Sequence, residues 1–110
     1  MNYTLSEIAR ICGGTFIGEN RRVMEVVTDS RSCGMPAAPL FVAMCGARHD
    51  SHDFVDGMYA RGVRAFLVER PLDERDGAGY VVVGNAIDAL QRLAADWRRR
   101  FGGTVVGITG

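Results

Sequence analysis

The sequence predicts one small α/β domain, a mixed β-sheet with helices packed on it. Three observations lead there. Continuous apolar runs of strand length stand at 40–44, 65–68 and 80–83, stretches of helical periodicity separate them, and glycine or proline marks most junctions. A chain of 110 residues, 47% of them hydrophobic, is long enough for one core, and no repeat, low-complexity run or linker divides it.

Taken in order, Thr4-Leu5-Ser6-Glu7 reads as a capping box, with Thr4 as cap and Glu7 reaching back. Leu5, Ile8 and Ile11 or Cys12 then recur at helical spacing, which predicts a helix from about 5 to 12 that Gly13-Gly14 stops. Thr15-Phe16-Ile17 and the run from Val23 to Thr28 are rich in β-formers, and the polar turn Gly18-Glu19-Asn20-Arg21 between them suggests two strands joined by a short connection. Ser32 to Pro39 carries Gly34, Pro36 and Pro39 and reads as a loop.

Leu40 to Met44 has the length of a buried strand and ends at Gly46. After a polar stretch, Asp53 to Arg61 puts Phe54, Val55, Met58 and Tyr59 on one helical face before Gly62. Ala65 to Val68 and Tyr80 to Val83 are further strands around a loop from Glu69 to Gly79. Asn85 caps a last helix with an inward stripe of Ile87, Leu90, Ala94, Trp97 and Phe101, stopped by Gly102-Gly103, and Thr104 to Ile108 is one more strand.

Charge narrows the function classes. Thirteen basic and thirteen acidic side chains cancel, so no overall field favours nucleic acid or an anionic membrane. Arg98-Arg99-Arg100 fits a solvated helix end that complements the helix dipole. No apolar run approaches a membrane span and the first residues carry no signal-like pattern, which predicts a soluble cytoplasmic chain. Cys12, Cys33 and Cys45 are odd in number and lack Cys-x-x-Cys spacing, which argues against a disulfide framework or a zinc knuckle and fits a reducing compartment. Cys12 and Cys45 read as small core residues.

Three segments carry candidate chemistry. Thr28-Asp29-Ser30-Arg31 ends a strand and offers hydroxyls, a carboxylate and a guanidinium, a set that suits a ribose, a base edge or a phosphate and equally an Asx or Ser turn. Gly46 to Phe54, with Ala47, Arg48 and His49, links a strand to a helix start where amides attract anions. His49 and His52 with Asp50 and Asp53 lack a second cluster, so no metal is expected there, and no residue sits in a nucleophile frame. Val105 to Gly110 runs a buried-type strand into a Gly-Thr-Gly turn, the place where a phosphate loop begins, although many strands end this way.

Together and in order, Thr28-Asp29-Ser30-Arg31, Leu40-Phe41-Val42-Ala43, Gly46 with His49 to Phe54, Gly62-Val63-Arg64-Ala65 and Gly107-Ile108-Thr109-Gly110 resemble the Mur ligase family, over nearly the whole chain. His52-Asp53-Phe54 and Glu69 to Asp73 look more like the branch that adds D-alanyl-D-alanine to UDP-N-acetylmuramoyl-tripeptide than the branch that adds the third amino acid. Two departures stand out: Pro36-Ala37-Ala38-Pro39 where the family has Pro-Gly, and Asp50-Ser51-His52 where it has Asp-Gly-His. The longer first loop and Asp29-Ser30-Arg31-Ser32 both resemble the variant fused to an alanine racemase, which would bring pyridoxal phosphate.

The resemblance implies an ATP-dependent ligase of peptidoglycan precursor synthesis, with ATP and Mg²⁺ used by the full-length enzyme and none of the catalytic residues in these 110. Residues 1–103 would bind UDP through Thr28, Ser30, Ala47, Arg48 and His49. Residues 104–110 would open a truncated central ATPase domain, with Gly107, Thr109 and Gly110 starting its phosphate loop. The alternatives are the third-amino-acid branch and a non-catalytic module that binds nucleotide sugars.

Overall fold

The computed structural model describes residues 3–27, 38–43, 54–72 and 74–101. Their order is β1 (Tyr3–Thr4), α1 (Leu5–Cys12), β2 (Thr15–Gly18), β3 (Arg22–Val23), β4 (Glu25–Val27), β5 (Pro39–Val42), α2 (Val55–Ala60), β6 (Ala65–Val68), β7 (Gly79–Val82) and α3 (Ala86–Phe101).

The main sheet has the order β2-β7-β6-β5-β4. β4, β5, β6 and β7 run parallel, and β2 joins β7 antiparallel at one edge, so the sheet is mixed as expected. β1 and β3 form a separate antiparallel pair. The two strands expected on either side of the turn at 18–21 both form, but they do not pair: β2 goes to β7, and the second run breaks at Met24 into β3 and β4. The break lets Val23 turn its side chain into the core beside Tyr3 while β4 joins the far edge of the sheet.

Both faces of the sheet are covered, which is why its strands read as unbroken apolar runs. On one face Leu40, Val42, Ala65, Leu67 and Val81 pack under α1 and α3. On the other, Phe41, Phe66, Val68 and Tyr80 pack under α2. The alternation within β5 and β6 sends successive side chains to opposite cores.

The helix starts follow their caps. Thr4 and Glu7 complete the capping box of α1, and Gly13, at φ 70°, ends it in the left-handed conformation. Glu7 is held below its usual carboxylate range, chiefly by the Thr4 backbone amide. The Asn85 side chain accepts from the Asp88 amide at 2.8 Å and starts α3.

Three expectations need correction. The inward stripe of α3 is Ala86, Ala89, Leu93 and Asp96, with Leu90 and Trp97 at its margin, whereas Ile87 is 57% exposed and Ala94 faces solvent. A stripe anchored on Ile87 follows hydrophobicity, but Asn85 fixes the start of the helix and so the phase that meets the sheet. Phe54 lies just before α2 and is 43% exposed, so only Val55 and Met58 of the expected face are buried. Pro39 is the first residue of β5, a place that asks for no ladder hydrogen bond from a missing N–H. The strand expected at 104–108 and the stop at Gly102-Gly103 lie outside the described residues.

Gly79 shows why a glycine is needed where β2 meets β7. A Cβ there would lie 1.9 Å from the Glu19 carbonyl oxygen and 2.5 Å from Leu5.

Candidate functional site

The candidate ligand loops leave neighbouring parallel strands. Val27 closes β4, and Ala43 extends β5 by donating its N–H to the Leu67 carbonyl at 2.8 Å. Both therefore lie toward the carboxyl edge of the sheet, where open α/β sheets bind their ligands. In register, Val27 lies opposite Phe41. Thr28, Ser30, Ala47, Arg48 and His49 lie outside the described residues, as do Gly107, Thr109 and Gly110 and the cysteines Cys33 and Cys45.

The helix α3 starts at the same edge, after Val83 has donated to the Val68 carbonyl. Its first amides are engaged. The Glu69 carboxylate accepts from the Ala86 N–H at 2.7 Å, and Asn85 holds Asp88. A negative charge on a helix N-terminus is favourable and removes that terminus as a cradle for a second anion. The sequence reading placed Glu69 in a loop and missed this role, because its partner lies 17 residues on and belongs to another element.

Three recesses are lined by described residues, and none of them reaches Val27 or Ala43. One of about 360 Å³ lies at the opposite, amino edge of the sheet and is lined by Arg21, Arg22 and Arg64. A second, of about 620 Å³, runs past Glu19, Glu74 and Asp76, and a third, of about 420 Å³, lies beside Arg92 and Arg99.

Arg98, Arg99 and Arg100 at the end of α3 are exposed, as expected of a solvated helix end, but two of them pair with a buried carboxylate. Asp96 is buried, accepts from the Tyr3 hydroxyl at 2.8 Å and pairs with Arg99 and with Arg100, the latter at 2.9 Å. Arg100 lies over the Tyr3 ring, 5.2 Å from its centre, and Trp97 meets that ring edge-on. Burial, reinforced by the Asp96 carboxylate, pushes the Tyr3 hydroxyl up to about 12, while the Tyr3 hydrogen bond holds Asp96 below the usual carboxylate range. These groups tie the end of the helix to β1. Cys12 is buried as expected, and burial pushes its thiol up to about 11. No helix of the described residues is long and apolar enough to cross a membrane.

Comparison with known proteins gives a consistent set of relatives. No protein-family profile matches the chain. Over all 110 residues it is 36% identical to UDP-N-acetylmuramoyl-tripeptide–D-alanyl-D-alanine ligase of Escherichia coli K12, of which it spans 24%. Over 76 residues it is 37% identical to the 2,6-diaminopimelate-adding ligase of Bacillus cereus, covering 69% of this chain and 15% of that protein. The crystal structure of MurF from Acinetobacter baumannii superposes with a TM-score of 0.76 at 27% identity, covering 91% of this chain and 22% of the other. The chain thus spans about a quarter of the length of the relatives it matches.

Proposed function

The chain belongs to the Mur ligase family, matching the N-terminal domain of its D-alanyl-D-alanine-adding members, and from that premise we propose that it anchors the uridine diphosphate end of UDP-N-acetylmuramoyl-tripeptide. The observation that carries the proposal is that β4 and β5, the strands that precede the two candidate segments in the sequence, are parallel neighbours pointing to one sheet edge. Thr28 and Ser30 supply hydroxyls to the nucleotide, and Ala47, Arg48 and His49 supply an amide, a guanidinium and an imidazole. The engaged start of α3 leaves the phosphates to these residues.

In the whole enzyme the anchored substrate is ligated to D-alanyl-D-alanine at the expense of ATP, in the cytoplasm, for peptidoglycan and so for cell shape and division. Gly107, Thr109 and Gly110 open the ATP loop, and Mg²⁺ neutralises the phosphates there. The chain contains no lysine, so it lacks the cation that such a loop places on the phosphates, and no step at ATP is assigned to it. A following racemase domain with pyridoxal phosphate rests on the long loop at 32–39 and on Asp29-Ser30-Arg31-Ser32. A second reading, the ligase that adds the third amino acid, is favoured by the Bacillus cereus relative.

The test is a ¹H–¹⁵N NMR titration with uridine diphosphate and, separately, adenosine diphosphate. Uridine-selective shifts in both 28–31 and 46–52 are expected, and Ser30→Ala should weaken binding roughly tenfold, the loss of one hydrogen bond to a charged group. Equal shifts with both nucleotides, or shifts confined to Arg98–Arg100, refute the site. Calorimetry with ATP should show no saturable heat.

A further inference from the structure

The amino edge of the sheet carries a recess that the uridine diphosphate reading does not use. It is lined by Arg21, Arg22 and Arg64 with Asn20, Pro39 and Gly62, and among the described residues no acidic one is in its lining. The neighbouring acid Glu19 lines a different recess. Because the chain as a whole is neutral, three guanidiniums around one concavity form a local surplus and not the edge of a general field.

Arg64 is held in place before any ligand arrives. Its Nη1 donates to the carbonyls of Tyr59 at 2.7 Å and Val63 at 3.0 Å, and its guanidinium lies 3.8 Å from the centre of the Tyr59 ring. That ring is itself fixed, since the Tyr59 hydroxyl donates to the Asp76 carbonyl at 2.6 Å. The Nε and Nη2 of Arg64 have no hydrogen-bond partner among the described residues, which leaves the edge that grips an oxyanion in two parallel bonds. Arg21 and Arg22 are exposed and make no ion pair among the described residues. Asn20 is tied to Ser6 at the start of α1, and Gly62, at φ 103°, has open space where a side chain would stand.

We propose that this recess binds a multiply charged oxyanion, a phosphoryl or carboxylate group of a small molecule, with Arg64 as the fixed fork and Arg21 and Arg22 as the flanking charges. The site lies at the end of the sheet away from the candidate nucleotide loops. Strands of four residues put roughly 13 Å between the two edges, so one anion cannot serve both.

The experiment is an NMR titration of the 110-residue chain with inorganic pyrophosphate and, in a separate arm, with citrate. Expected are saturable shifts at Asn20–Arg22, Ala38, Gly62–Ala65 and the Arg64 Nε–H, with an affinity on the order of 1 mM. Arg64→Lys keeps the charge and loses the fork, and should weaken binding about fivefold. Arg21→Gln and Arg22→Gln, both at exposed positions, should each weaken it about twofold. Saturation by pyrophosphate alone assigns a phosphoryl ligand, and saturation by citrate alone assigns a carboxylate one. Shifts that rise linearly without saturating, or that survive all three substitutions, overturn the proposal. So do shifts found only at 28–31 and 46–52, an outcome that would bear on the uridine diphosphate site instead.

Discussion

The two faces of the sheet are covered by different means. One carries α1 and the sixteen-residue α3, packed through Leu5, Ile8, Ala89 and Leu93 into a continuous apolar wall. Among the described residues, the other carries the six-residue α2 and an irregular crossing between β6 and β7, over the aromatic column of Phe41, Phe66 and Tyr80. The crossing is fastened by polar clips: Arg75 donates to the Tyr80 hydroxyl and pairs with Asp56, and Tyr59 holds the Asp76 carbonyl. Long helices stabilise the first face through area, whereas the second depends on a few specific partners. Among the described residues the lighter cover includes α2, the helix that follows the second candidate segment in the sequence.

The largest effect should come from Phe66, which stacks on Tyr80 at 5.5 Å between ring centres and meets Phe41 edge-on. Phe66→Ala should cost about 3–5 kcal/mol in urea denaturation, because a buried aromatic in the middle of a column leaves a cavity that its neighbours cannot close. A loss below about 1 kcal/mol would mean that the column is not what holds this face.

A matched pair sharpens the contrast. Leu93→Ala and Met58→Ala both remove fully buried side chains, from α3 and α2, and each should cost about 2–3 kcal/mol. Hydrogen exchange should then separate them. The α2 substitution should strip protection from 55–60 while the sheet amides stay protected, and the α3 substitution should lower protection throughout. Equal loss of sheet protection in both variants would erase the distinction between the faces.

The smallest effect belongs to Tyr3. Tyr3→Phe removes one hydrogen bond to Asp96 and should cost about 1 kcal/mol near neutral pH. Its signature is the pH profile. A tyrosine kept neutral by burial gives stability that is present below its ordinary value and lost as pH rises from about 10 to about 12, so the variant should lose less than the parent in that window. Asp96, held low, gives stability that is lost as pH falls below the usual carboxylate range, and without the Tyr3 hydrogen bond that loss should be smaller and complete at a higher pH. Parallel curves for parent and variant at both ends would show that the pair does not couple titration to folding.

Local signals were the legible part of the fold. The Thr4 box, the Asn85 cap and the apolar runs that became β5, β6 and β7 each announce themselves within a few residues. The long-range choices did not. Nothing near Thr15–Gly18 says that β2 will run antiparallel to β7, and the hydroxyl of Tyr3 meets a carboxylate 93 residues away. The phase of α3 was misread for the same reason, since Ile87 is the more hydrophobic choice and the sheet selects Ala86 and Ala89. At the candidate site, the strand ends that carry the loops were readable as apolar runs ending in polar residues, while the roles of Glu69 and Arg64 depend on partners from other elements.

The tie between Tyr3 and the last turns of α3 has a topological consequence. Because Asp96 and Arg100 sit against Tyr3, the first strand and the end of the last helix lie side by side, although the sheet separates most of what comes between them. A short flexible bridge from residue 101 to residue 3, with a new opening at the exposed Gly84, away from the clips of the β6–β7 crossing, would leave the sheet order and both faces unchanged. The order in which the elements occur along the chain can thus be rotated without altering the architecture.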